Sequence, residues 1–288
     1  MAFPLPLPFL LDGATGTQLQ KRGMPIGFCT ERWVLEHPDD VIDFQIEYLH
    51  AGSGAVYAPT FGCNRPTLKK YGLENRVREY CLELVAVSRK AVQKSGKSAL
   101  IGGDISPCGL YIEPLGENRF EDVVAVFTEQ AAALDEAGVD FFAVETQLSL
   151  IEAQAAVTGI HAVSDKPILV TFSCNNQGLS FWGENLADIA VELEELGIDS
   201  FGINCCGDLT LLTNILREIS EKTSLPLIAK PNAGIPRIEN DVMRYDMSPG
   251  ELAAAIPGLY EAGARFFGGC CGTTAAHIAA ISEALRGL

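Results

Sequence analysis

The chain has 288 residues, of which 48% are hydrophobic and 20% are charged. This composition supports a full-sized core and excludes disordered, collagen-like and disulfide-stapled classes of protein. Acidic residues outnumber basic ones by 37 to 21, a formal charge of −16 at pH 7. Nucleic acid and anionic membranes need a cationic surface, so neither is an expected partner. The remaining ligands are small molecules and other proteins.

The amino terminus and the cysteine content indicate the compartment. Residues 1–11 are apolar, but they contain three prolines and precede the first basic residue, Lys21, so we interpret them as mature sequence rather than a signal peptide. No stretch approaches the roughly 18 apolar residues of a membrane span. We expect a cytoplasmic protein whose nine cysteines are reduced thiols, metal ligands or buried side chains rather than disulfides.

Strand and helix signals alternate along the chain. Short apolar runs bounded by Gly, Pro or Asp predict eight buried strands, at residues 9–15, 55–61, 99–106, 141–146, 168–174, 200–206, 227–234 and 266–272. Segments with helical patterning lie between them, at residues 38–51, 75–94, 120–137, 148–163, 186–196, 209–223 and 248–262. The order predicts repeated βα units.

A recurrent glycine supports this interpretation. Four glycines end helical segments two or three residues before a predicted strand, and each suits a left-handed helix C-cap: Gly52, Gly138, Gly197 and Gly263. Repeated βα units with strands apolar on both faces require a parallel sheet covered by helices. An open doubly wound sheet is the alternative, but eight units filling the chain favour a single-domain (β/α)₈ TIM barrel over residues 1–288.

The unusual residues fall at the strand ends, where such barrels carry their chemistry. Cys205 ends the sixth predicted strand, and Cys270 and Cys271 end the eighth. Thiolates favour Zn²⁺, and three protein ligands leave a fourth position for substrate. Adjacent strand residues face opposite sides, so Cys270 and Cys271 share an ion only if the backbone turns there. The alternative for such cysteines is a pair of buried small side chains or a redox couple.

These strand ends resemble the homocysteine S-methyltransferases. The similar segments are residues 11–17 (LDGATGT), 60–62 (TFG), 103–107 (GDISP), 144–146 (VET), 202–205 (GINC), 230–234 (KPNAG) and 268–274 (GGCCGTT), and the match runs from about residue 10 to residue 281. The cysteine motifs are specific only in combination. The nearest resemblance within the family is to the homocysteine-binding module of cobalamin-dependent methionine synthase.

The resemblance implies a zinc enzyme that transfers a methyl group to L-homocysteine and forms methionine. It implies Cys205, Cys270 and Cys271 as metal ligands, with Cys205 rather than the adjacent Cys206 on the sixth strand. The zinc-bound substrate thiolate would be the nucleophile, so no catalytic side chain is expected.

Homocysteine also carries an ammonium and a carboxylate. Candidate acceptors for the ammonium are Asp12 and Glu145, and Asn232 can bond either group. Backbone N–H groups of Gly13 and Gly103 are candidate donors to the carboxylate. A tight turn at Asp12, an ion pair at Glu145 and strand-end geometry at the glycines remain alternatives.

The sequence gives less information about the methyl donor than about the metal ligands and the homocysteine site. The first expectation is methylcobalamin carried by a separate corrinoid protein. Betaine and S-methylmethionine are the alternatives, since Phe181 and Trp182 stand in a loop unlike the family pattern and offer cation–π faces. Two other classes of function are a non-enzymatic zinc-handling or partner-binding barrel and a metal-free lyase or aldolase. The last would need Lys230 as Schiff-base former.

Overall fold

The computed structural model describes residues 7–114, 116–239 and 242–288. Its strands are β1 (Phe9–Leu10), β2 (Ala55–Tyr57), β3 (Leu100–Ile105), β4 (Phe141–Gln147), β5 (Ile168–Phe172), β6 (Ser200–Asn204), β7 (Leu227–Lys230), β8 (Arg237–Glu239), β9 (Val242–Arg244) and β10 (Ala264–Phe267). Its helices are α1 (Gly16–Lys21), α2 (Thr30–Glu36), α3 (Pro38–Ala51), α4 (Arg65–Lys69), α5 (Val77–Ser95), α6 (Phe120–Glu136), α7 (Leu150–His161), α8 (Leu186–Glu195), α9 (Leu209–Ser220), α10 (Pro249–Glu261) and α11 (Ala275–Arg286).

Eight of the strands form one parallel sheet in the order β1-β10-β7-β6-β5-β4-β3-β2. The two edge strands approach each other, because the Gly54 N–H donates to the Leu10 carbonyl at 2.8 Å. The Asp12 carboxylate adds a second link by accepting the Tyr57 N–H at 2.7 Å. The result is a nearly closed (β/α)₈ barrel, which confirms the predicted fold class.

Apolar side chains fill both faces of the sheet. A smaller cluster in the barrel interior includes Phe9, Tyr57, Phe141 and Phe266, and a larger cluster lies between the strands and the surrounding helices. Burial on both faces explains why the strands are continuous apolar runs. This packing holds the carboxyl ends of the strands at one rim.

Each predicted strand is present, but most end earlier than the sequence suggested. The sixth ends at Asn204 rather than residue 206, and the eighth ends at Phe267 rather than residue 272. Cys205, Cys270 and Cys271 therefore lie in βα loops, where strand alternation does not restrict them. The short helices α1, α2 and α4, the last helix α11 and the hairpin β8–β9 lay outside the predicted elements.

The four junction glycines have the predicted left-handed conformation, with φ between 75° and 116°. Backbone N–H groups just after the helices satisfy the last helical carbonyls there. Among the described residues, no helix is long and apolar enough to span a membrane.

Candidate metal and substrate site

Three sulfur atoms meet at the barrel rim. The Sγ atoms of Cys205, Cys270 and Cys271 all lie within 4.8 Å of one another, and those of Cys205 and Cys270 are 2.9 Å apart. Sulfur ligands about 3.8 Å apart are expected around a tetrahedral ion with Zn–S bonds of ~2.3 Å. The donor set fits one thiophilic metal ion, whose binding would move the Cys205 and Cys270 sulfurs apart.

The backbone at the rim is unusual at two residues. Cys205 (φ 56°) and Thr146 (φ 62°) are both left-handed although neither is glycine. The Asn204 amide joins the two loops, since its Nδ2 donates to Thr146 Oγ1 at 2.7 Å and its Oδ1 accepts the Thr146 N–H at 3.2 Å. The same Nδ2 lies 3.7 Å from the sulfurs of Cys205 and Cys270. Asn204 therefore orients the loop that carries Cys205, a role that its sequence position alone did not reveal.

Asn232 and Cys206 lie beside this loop and away from the sulfur cluster. Asn232 Nδ2 donates to the Cys205 carbonyl at 2.9 Å, and Asn232 is absent from the cavity lining. Cys206 is buried, and its thiol contacts the Asp208 carbonyl and Cys174. The left-handed turn at Cys205 thus separates the two adjacent cysteines.

Hydrogen bonds concentrate negative charge on one sulfur. The thiols of Cys205 and Cys270 lower the pKa of Cys271 to about 3, helped by the Tyr245 hydroxyl. The same mutual bonding raises the pKa of Cys205 above its usual range. Ion binding requires all three sulfurs as thiolates, so it must displace the protons that these hydrogen bonds hold.

An ion-paired group lies below the sulfurs. Lys230 Nζ is 3.1 Å from Glu145 Oε2 and 3.5 Å from Asp12 Oδ1, and it stands 3.6 Å from the centre of the Tyr57 ring. Burial alone would lower the pKa of Lys230, but Glu145, Tyr57 and Asp12 hold it well above the usual value. Lys230 is protonated in this setting, which gives no support to a Schiff-base role.

These groups line one cavity of about 370 Å³. Its wall includes Asp12, Gly13, Glu145 and the three cysteines, so the structure brings together most of the predicted site. Gly103 does not line it, because a side chain there would point toward Leu134 and Val139 outside the barrel.

A further part of the cavity wall was not expected from the sequence. It combines the buried Glu31 with the rings of Phe28, Phe61 and Tyr71. Phe181 and Trp182 do not line the cavity; both are exposed, and Trp182 packs edge-on against Tyr111 at 5.8 Å between ring centres. The aromatic residues of the wall come instead from β2 and the loop after it, from the segment before α2 and from the residues that follow α4.

Comparison with known proteins adds independent information. Residues 9–285 match the family described as homocysteine S-methyltransferase. The chain is 30% identical to the methionine synthase of Mycobacterium tuberculosis over 96% of its own length and 24% of that protein. It is 29% identical to that of Mycobacterium leprae over 95% of its length and 24% of the relative. The chain thus spans about a quarter of these curated relatives.

A solved structure resembles the whole barrel. The metallated form of the homocysteine methyltransferase MmuM from Escherichia coli superposes with a TM-score of 0.81 at 26% identity. The superposition covers 96% of this chain and 95% of that one. The two chains therefore share one architecture over nearly their full lengths.

Proposed function

Because the chain belongs to the homocysteine S-methyltransferase family, we propose that it methylates the sulfur of L-homocysteine with the help of a zinc ion. The observation that carries the proposal is the cluster of three cysteine sulfurs in the wall of a cavity that also presents Glu145 and Asp12. The proposed ligands are Cys205, Cys270 and Cys271. Zinc storage alone would not require the carboxylates of that wall.

A zinc ion held by the three cysteinates would stabilise the homocysteine sulfur as a thiolate at neutral pH. Glu145 faces the cavity with one oxygen on Lys230 and would accept a hydrogen bond from the substrate ammonium. Asp12 and Gly13 line the same wall and complete the amino-acid site. The substrate sulfur attacks the methyl carbon, a C–S bond forms, and the electron pair of the broken methyl bond leaves with the donor.

The metal assignment predicts the behaviour of single Cys→Ser variants. Purified under reducing conditions, the wild-type protein should contain one zinc ion per chain, and serine at any of the three positions should lower occupancy because a soft ligand is lost. Cys206→Ser is the matched control. Metal analysis showing full occupancy in two of the three variants would exclude this cluster as the site.

The cavity wall supports a small cationic methyl donor. Glu31 is only 3% exposed, and its carboxylate accepts the Gly62 N–H at 2.7 Å and a bond from the Cys29 thiol at 3.5 Å, neither of which is a cation. A buried carboxylate beside aromatic rings is a favourable surface for a sulfonium or quaternary ammonium group. S-methylmethionine and betaine are donors of this class.

Methylcobalamin on a separate corrinoid protein is the second candidate donor. The 30% identity to a methionine synthase supports it, although nothing in the cavity is specific for a corrinoid. Zinc-loaded protein with homocysteine should be assayed in parallel with S-methylmethionine, betaine, free methylcobalamin and a methyl-corrinoid protein. Turnover with an onium donor that is reduced in Glu31→Gln would support the cationic donor, and turnover with the corrinoid alone would overturn it.

A further inference from the structure

Asp104 is a buried carboxylate for which the predicted site has no role. It lies near the end of β3, is 6% exposed and lines the cavity. Its backbone N–H and carbonyl both bond to the Thr60 hydroxyl, at 3.1 and 2.9 Å. Its side-chain Oδ1 has no hydrogen-bond partner among the described residues. A buried charge without a partner is destabilising, unless a bound ligand supplies that partner.

The sheet register directs Asp104 toward Glu145. Asp104 pairs with Ala143 across β3 and β4, and Ala143 belongs to the barrel-interior cluster. Glu145 follows two residues later and therefore points to the same side of the sheet. Glu145 is accordingly the strongest of the charged neighbours that raise the pKa of Asp104, after the effect of burial itself.

The basic side chains that line the cavity are too few to pair with all of its carboxylates. Among the described residues, Lys230 is the one basic side chain that lines the cavity. Its Nζ lies within 4.0 Å of carboxylate oxygens of Glu145 and Asp12. No ion pair within that distance joins Lys230 to Asp104. Three carboxylates thus share one ammonium, and Asp104 is the carboxylate that Lys230 leaves without a direct partner.

We propose that Asp104 and Glu145 together bind the α-ammonium group of the amino-acid thiol. The substrate ammonium takes the position opposite Lys230 and supplies the cation that Asp104 lacks. This inference rests on the proposed function, since it assigns the recognition of the same substrate. It makes Asp104 a substrate-binding residue that selects thiols carrying an amino group.

The test compares homocysteine with 4-sulfanylbutanoate, which is homocysteine without its amino group. Binding of each thiol to zinc-loaded wild-type protein, Asp104→Asn and Glu145→Gln is measured by titration calorimetry. Homocysteine affinity should fall about tenfold or more in both variants because a charge-assisted hydrogen bond is lost. Affinity for 4-sulfanylbutanoate should stay within about twofold.

The stability of the variants separates binding from folding. Asp104→Asn removes an unpartnered buried carboxyl group at nearly constant size, so its Tm should equal or exceed that of the wild type while homocysteine affinity falls. Asp104→Ser provides a second neutral variant should the asparagine protein misfold. Glu152→Gln is the matched control, a buried acid on α7 that does not line the cavity, and it should bind both thiols as the wild type does.

Different results would overturn different statements. If Asp104→Asn binds both thiols with wild-type affinity, or if its affinity for both falls equally, Asp104 does not bind the substrate ammonium. If Glu145→Gln loses the preference for the amino group while Asp104→Asn keeps it, the Asp104 inference fails and the proposed function stands. If the wild-type protein itself shows no preference for homocysteine, the proposed function fails.

Discussion

Asp12 makes two interactions that favour its ionised form, and its burial opposes both. Its Oδ2 accepts the Tyr57 N–H and links the first strand to the second, while Oδ1 faces Lys230 at 3.5 Å. Burial raises the pKa of Asp12 to about 6, and Lys230 and the Tyr57 N–H offset only part of that effect. The sequence could identify Asp12 as a site candidate, but not its state, because that state depends on a lysine 218 positions later in the chain that lies across the barrel.

This raised pKa predicts a pH dependence of stability. Folded Asp12 retains its proton up to about pH 6, whereas the unfolded residue loses it near 3.8. Its contribution is therefore greatest below pH 4 and is lost as the pH rises toward 6 and above. Asp12→Asn lacks this loss, so its unfolding free energy relative to wild type should rise by about 2 kcal/mol between pH 4 and 7.

Urea unfolding of the metal-free proteins across that range measures the difference, and Asp140→Asn offers a carboxylate comparison outside the cavity. Parallel pH profiles for wild type and Asp12→Asn would contradict the assignment of the raised pKa to Asp12.

At the scale of elements, sequence patterns predicted what depends on local burial. Apolar runs located all eight barrel strands, and helices such as α3 and α6 occur within one residue of the predicted bounds. The strand ends were overestimated because residues such as Cys205 and Cys206 continue an apolar pattern after the sheet hydrogen bonds have stopped. The hairpin β8–β9 was missed because its residues Arg237–Glu239 are all exposed, so no buried face imposes a periodicity.

That hairpin leads directly to a residue that contacts the sulfur cluster. Tyr245 follows β9, and its hydroxyl is hydrogen-bonded to the Cys271 sulfur, where it helps to lower the pKa of that thiol. A Cβ atom at Gly272 would come within 2.4 Å of the Tyr245 side chain, so glycine is required for this approach. No sequence motif singled out Tyr245, because its contact is made by a loop of irregular length.

Tyr245→Phe should weaken metal binding without removing a ligand. Partners that hydrogen-bond to metal ligands typically contribute 10–100-fold in metal affinity, so we expect about a tenfold loss in competition with a chelator. Metal release on acidification should begin at a higher pH, because Cys271 becomes easier to protonate. Tyr111→Phe, an exposed tyrosine outside the cavity, is the control; equal affinities in all three proteins would show that the Tyr245 contact is not functional.

For the whole molecule, the barrel core and the sulfur cluster are separate sources of stability. The apolar interior and the layer beneath the helices do not include the three cysteines of the cluster. The proposed ligands nevertheless come from two loops 65 residues apart, so an ion would join the ends of β6 and β10. The family motifs made this pairing predictable from sequence, whereas the net charge of −16 gave expectations about partners and did not locate the site.

Removal of the metal should therefore abolish activity while leaving the fold intact. An ion that binds only the folded state stabilises it by about 2.7 kcal/mol at a free concentration of 100 times its Kd. Domains somewhat smaller than this chain shift by about 2–4 °C per kcal/mol, so chelation should lower the Tm by several degrees. Far-UV circular dichroism should not change at 25 °C, and added zinc should restore both the Tm and methyl transfer.

In the Cys205→Ser protein, zinc should restore neither. Loss of the helical spectrum on chelation would instead mean that the barrel depends on its metal to fold, and an unchanged Tm would mean that no ion bridges β6 and β10.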